Sequence, residues 1–144
     1  MAQRPPRSSK LDGHVGLLFK FKGYEKEFPA HLISEGTMYL LCMLVAVLDR
    51  PEHGITIIEE PERGLHPYLI QQLVEFFRTE SQKSPIWLTT HSETLIRGLQ
   101  PQELMLMDKV NGETCLKSAK DYKSNGLSLD RAWLSNVLDG GLPW

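Results

Sequence analysis

Two short apolar runs, separated by a segment of helical period, constrain this chain more than any other feature. Ile55–Ile58 and Ile86–Thr90 are each short, rich in β-branched residues and bounded by turn-forming sequence. Such runs read as strands. Between them Pro67 opens a segment in which Leu69, Ile70, Leu73, Val74, Phe76 and Phe77 recur at helical spacing. Proline is tolerated at a first helical position because the N–H it lacks would have no partner there. "SQKSP" then ends the helix. Strand, helix, strand is a βαβ unit, whose strands run parallel through a right-handed crossover. Glu59-Glu60 and Thr90-His91 therefore end their strands at the same carboxyl edge. Ligands bind at that edge in open α/β sheets. With the two strands adjacent, or one apart, two acids and a histidine converge in one crevice.

The rest of the chain fills in around this unit. Residues 1–12, basic and proline-rich, are expected to form a disordered tail. Val15, Leu17, Phe19 and Phe21 alternate with Lys20 and Lys22 opposite, and Gly23 offers a turn, so Tyr24–Phe28 returns as the second strand of a hairpin. Ser34 is placed to cap a helix with Glu35 in its first turn. The run from Met38 to Leu48 is apolar almost all round, which predicts burial on most sides. Ser92 caps a short helix, Asn111-Gly112 marks a hairpin between "ELMLMD" and "ETCLKS", and Leu127–Leu138 forms a last helix.

Composition sets limits. Of 144 residues 41% are apolar and 24% charged, enough for one packed domain or part of one, and the net charge of −2 advertises neither nucleic acid nor membrane. No apolar run approaches the roughly 20 residues a bilayer requires. Cys42 and Cys115 lie in apolar surroundings with no CxxC or metal spacing, and are expected to be structural. A cytoplasmic setting is the expectation.

A carboxylate at the mouth of a strand suits Mg²⁺, which takes one or two carboxylates and completes its shell with water and phosphate. A second acid beside it can deprotonate a water, and a histidine can hydrogen-bond a transferring phosphoryl oxygen. An isolated pair of acids after a strand is ordinarily a solvated loop, and a lone "THS" an ordinary helix cap. The ordered set SEGT, hydrophobic-EEPE, GLHP and hydrophobic-TTHS is not explained that way.

On these four motifs the chain resembles the C-terminal half of a non-transporter ABC-class ATPase head, of the group that includes structural-maintenance and RecF-like repair ATPases and OLD-type nucleases. The resemblance covers roughly residues 15–144. It implies an α/β fold, a partial P-loop NTPase with a mainly parallel sheet flanked by helices, over residues 13–144. "LISEGTMYL" is similar to the signature, which implies Ser34 and Gly36 as contacts to an ATP γ-phosphate held by a second head. "ITIIEE" is similar to Walker B, with Glu59 as the Mg²⁺ ligand, where aspartate is commoner, and Glu60 as the catalytic base. "PERGLHP" falls where the D-loop lies, and His91 where the switch histidine lies. The ending "RAWLSNVLDGGLPW" is similar to tails of some defence-type members.

No GxxxxGK[ST] occurs among the 144 residues. That loop is the family's own grip on phosphate. The implied partner is a P-loop-bearing ATPase half or a homologous head, in a head-to-tail dimer. ATP and Mg²⁺ are the implied cofactors, and a DNA or nuclease effector follows from family analogy alone. The alternatives are a non-catalytic module that lends its signature helix to an intact head, and a nonfunctional fragment.

Overall fold

The computed structural model describes residues 8–11, 14–51 and 53–141. Three antiparallel strands come first: β1 (Ser8–Leu11), β2 (His14–Phe19) and β3 (Phe28–Pro29), in the order β1-β2-β3. The hairpin read from the alternating sequence is present as β2 and β3, with Phe19 opposite Phe28, but the return strand is Phe28–Pro29 and not the expected Tyr24–Phe28. β1 is a correction. Ser8–Leu11 lie inside the stretch expected to be a disordered tail, yet Ser8 pairs with Leu17 and Leu11 with His14. A neighbouring strand supplies backbone partners that a local polar sequence does not reveal. The remainder of that tail, residues 1–7 and 12, lies outside the described residues, as do the side chain of Val15 and the closing residues 142–144.

Helix α1 (Glu35–Leu48) starts at Ser34 as foreseen. Strand β4 (Thr56–Glu59), helix α2 (Pro67–Glu80) and strand β5 (Ile86–Thr89) make the βαβ unit. Its strands are parallel and directly paired, Thr56 with Ile86 through Glu59 with Thr89. Helix α3 (Glu93–Gly98) follows, then strands β6 (Met105–Val110) and β7 (Glu113–Ser118), and helix α4 (Leu129–Leu134). The β6–β7 turn has Asn111 at φ 52° and Gly112 at φ 88°, the two left-handed positions a type I′ hairpin needs. The last helix is shorter than the expected Leu127–Leu138. Asn136 and Asp139 take positive φ and break the helical path. The sheet content is mixed rather than mainly parallel, with β4–β5 as its parallel part.

Three apolar clusters hold these elements. Met43 and Val47 of α1 meet Leu73 and Phe77 of α2, with Ile58, Ile86 and Leu88 beneath. Ile70 and Val74 of α2 meet Leu95 of α3. A third cluster joins α3, β6 and α4 through Ile96, Leu106, Ala132 and Trp133. Arg50, at the end of α1, donates to the Ser84 hydroxyl and to the Glu80 carbonyl, fastening α1 to the end of α2.

Two apolar surfaces are bare, one on α1 and one on the face of β4–β5 opposite Ile58 and Leu88. Val45 and Leu48 of α1 are 54% and 62% exposed, and Ile57 and Trp87 of the parallel pair are each 64% exposed. The burial of α1 on most sides expected from its sequence therefore does not occur here. A helix apolar all round needs a second contact layer, and among the described residues α2 and the sheet cover only one side. Cys42 and Cys115 are likewise free and exposed, not packed as expected.

Two polar clasps add a dependence on pH. Arg78 forks onto Glu103 at 2.8 and 2.9 Å and reaches the Gly98 carbonyl at 2.8 Å, linking α2 to the end of α3. The Arg78 hydrogen bond holds the Glu103 carboxyl below its ordinary value against the opposing effect of burial. Arg97 pairs with Asp130 at 2.8 Å, and Asp130 is 1% exposed. Burial would raise the Asp130 carboxyl, but the Ser128 hydroxyl and Arg97 outweigh it and hold it low. A carboxyl depressed in the folded state stabilises fully above its ordinary value and loses that contribution as pH falls through the folded value. The melting temperature is therefore expected to be flat above about pH 5 and to fall below about pH 4, where unfolded carboxyls begin to protonate. Glu103→Gln should shrink that fall in thermal scans followed by circular dichroism. An unchanged acid slope in that variant would remove Glu103 as a cause.

Candidate functional site

The carboxyl edge of β4 and β5 assembles from backbone geometry alone. Glu59 is in register with Thr89, and the Glu60 N–H donates to the Thr89 carbonyl at 2.9 Å, so pairing runs one residue past the strand. Glu60 then turns the chain with φ 45°. A left-handed residue other than glycine costs on the order of 1 kcal/mol and is found where the surroundings impose it. Here the bond to Thr89 precedes the turn, and Arg63 N–H returns to the Glu60 carbonyl at 3.0 Å. Glu59, Glu60 and His91 are all exposed at this edge. The chain thus ends the two strands side by side, with Glu59 and Glu60 closing one and His91 two residues past the end of the other, and it selects direct adjacency of the two strands.

Helix α1 is tied to the same edge. The Tyr39 hydroxyl donates to the Glu59 carbonyl at 2.8 Å. At the start of α1, Ser34 Oγ accepts from the Thr37 N–H at 3.2 Å and lies 2.7 Å from the Thr37 hydroxyl. A hydroxyl has two acceptor positions and one donor. Ser34 is exposed, beside an open groove whose lining includes Phe21, Lys22, Tyr24 and Phe28.

Gly36 has a reason to be glycine within its own chain. A Cβ there would overlap the carbonyl oxygen of Gly64, and Gly64 itself sits at φ 70°. The start of α1 therefore rests directly on the loop that follows Glu59-Glu60. The sequence reading assigned Gly36 to close approach by phosphate, whereas the approach seen is by backbone. It gave no role to Thr37, Tyr39 or Glu62, and placed Thr90 at the edge without its bond to Glu62. Thr37 was findable, because a hydroxyl three residues after a Ser cap is a capping arrangement. The others act across the fold.

Among the described residues no group of three or more His, Cys, Asp or Glu side chains is placed to hold a metal. Mg²⁺ on nucleotide phosphates does not require one, since one or two carboxylates suffice. Glu59 and Glu60 offer hard oxygen ligands at an open edge, which fits that need.

Residues 3–97 match the family described as "AAA domain, putative AbiEii toxin, Type IV TA system". The chain belongs to this family of AAA domains. The matched span contains the SEGT, EEPE, GLHP and TTHS motifs together. A solved structure from work on ATP-driven dimerization and DNA-stimulated activation of SMC ATPases is similar at a TM-score of 0.60 and 13% identity, covering 88% of this chain and 74% of that one. That likeness shows the fold, a P-loop NTPase α/β architecture. No curated protein matches the chain. The AAA domain is thus ATPase-like in kind, and ATPases of this kind bind ATP, typically with Mg²⁺. Among its described residues no helix is long and apolar enough to cross a membrane.

Proposed function

We propose that this AAA domain supplies the hydrolytic edge and the signature helix of a composite ATPase, whose P-loop comes from another segment or another chain. The observation that carries this reading is the direct pairing of β4 with β5, which puts Glu59, Glu60 and His91 at one exposed edge. ATP would bring the phosphoanhydride to be cleaved, and Glu59 would hold a Mg²⁺, which would supply charge to offset that on the phosphate oxygens. Glu60 takes the proton of the attacking water. His91 hydrogen-bonds the oxygen that gains charge as the bond breaks. Ser34 and the first N–H groups of α1 serve the γ-phosphate of a nucleotide held by a partner head, where the helix dipole favours negative charge.

The bare sheet face of the parallel pair supports the composite reading. Ile57 and Trp87, paired on the face of β4–β5 turned away from α1 and α2, form the kind of surface that a further layer of the same fold covers. By analogy with the structural neighbour, ATP-driven dimerization and stimulation by DNA belong to the same proposal.

A second reading takes its support from the exposed start of α1. The domain would then lend Ser34 and Gly36 to an intact head without hydrolysing ATP itself. Ser34→Arg tests the part common to both readings. It places a bulky cation where the γ-phosphate would sit and removes the cap, at a cost of about 1 kcal/mol. With a P-loop-bearing head present, stimulation of ATP turnover is expected to disappear in a phosphate-release assay while the far-ultraviolet spectrum stays folded. Undiminished stimulation would sink the signature assignment.

A further inference from the structure

The loop between β4 and α2 carries a second acid, Glu62, that the roles above leave unused. Its Oε1 accepts from the Thr90 hydroxyl at 2.6 Å. The same Thr90 oxygen accepts from the Ser92 N–H at 2.9 Å. Thr90 and Ser92 are the two neighbours of His91. The other Glu62 oxygen, Oε2, is buried and has no hydrogen-bond partner among the described residues. Shutting a carboxylate oxygen away from water is unfavourable, and on a solvated loop the side chain would swing out. It is held in by its bond to Thr90. Two residues on, Gly64 seats the same loop against Gly36 at the start of α1.

We propose that Glu62 is the positioning residue of the histidine arm. Its carboxylate fixes the Thr90 hydroxyl, and through it the Ser92 backbone, so that His91 is presented at the edge in one orientation. The inference rests on the reading of His91 as the histidine that faces the nucleotide. The Glu62 loop also rests on Gly36, so the histidine arm and the signature helix both contact this one loop.

The test uses the whole ¹⁵N-labelled chain and needs no nucleotide. Glu62→Ala is expected to speed hydrogen exchange at the Ser92 amide about tenfold, as loss of a charge-assisted bond implies. The His91 ring resonances should shift as well, while the Leu73 and Phe77 amides keep their protection. Thr90→Val should reproduce these changes, Thr90→Ser should restore the native pattern, and the double variant should add nothing beyond either single change. Native exchange at Ser92 in Glu62→Ala would overturn the proposal, whatever Thr90→Val or His91 does. If Glu62→Ala does not fold, Glu62→Asp, whose shorter side chain falls short of the Thr90 hydroxyl, decides the same question by the same Ser92 readout. A loosened arm together with undiminished ATP turnover in the assembled complex would support the arm and overturn the role given to His91.

Discussion

Glu60→Gln is expected to abolish ATP turnover by the assembled complex while leaving nucleotide binding intact. The amide keeps the size of the carboxylate and can still form hydrogen bonds, but it cannot take a proton from water near neutral pH. General-base catalysis contributes about 10²- to 10⁴-fold, and a loss of that size should appear in turnover. Binding draws on other groups: the P-loop supplied in trans or in cis, Glu59, and the start of α1. Glu60 is exposed and its backbone turn is set by the Thr89 and Arg63 bonds, so the exchange leaves the fold unaltered. Single-turnover phosphate release alongside fluorescent-nucleotide binding separates the two effects. Turnover within a few-fold of the parent would remove Glu60 as the base and favour the reading in which the domain only lends its signature helix.

The largest expected effect on stability lies far from that edge. Trp133 is 6% exposed and packs with Ile96, Leu104, Leu106 and Leu138. Its indole N–H donates to the Gly141 carbonyl at 2.9 Å, and the Gly141 N–H donates to the Asp108 carboxylate at 3.0 Å. Gly141 lies at φ 74°, where a Cβ would crowd Leu106 and the indole nitrogen. Trp133 is therefore both the filler of the third core and the clasp on the Gly140-Gly141 turn. Trp133→Ala should cost about 3–5 kcal/mol, a large part of a domain's usual 5–15 kcal/mol. For a chain of this size the melting temperature should fall by roughly 10 °C or more. Trp133→Phe keeps most of the volume and loses the hydrogen bond, so it should cost only about 1–2 kcal/mol. Thermal unfolding by circular dichroism reads both. A fall of under about 3 °C in the alanine variant would mean that this cluster is not a core.

Much of the architecture was legible in advance because its signals act over a few residues. Ser34 caps α1, Pro67 opens α2, Ser92 caps α3, and Asn111-Gly112 turns β6 into β7. Each depends on sterics or hydrogen bonding within about one helical turn, so the residue types nearly fix the outcome. The stripe of α2 was legible for the same reason, and Ile70, Leu73, Val74 and Phe77 are buried from it. The parallel sense of β4 and β5 followed from the length of the crossover.

The sequence left open what touches what across longer spans. It permitted β4 and β5 to be adjacent or one apart, and only the register of Glu59 with Thr89 decided. It gave Ser8–Leu11 no partner, and β2 supplied one. Tyr39 holds Glu59 from 20 residues away, Glu62 holds Thr90 across 28, and Arg97 holds Asp130 across 33. No periodicity encodes such pairs, because each forms only after the helices and strands have packed and brought the two groups within reach. The sequence by itself thus determined most of the elements, β1 excepted, and that Glu59, Glu60 and His91 follow the carboxyl ends of β4 and β5. The tertiary structure decided how that edge is braced, which face of α1 stays bare, and that Gly36 is a glycine for the sake of Gly64.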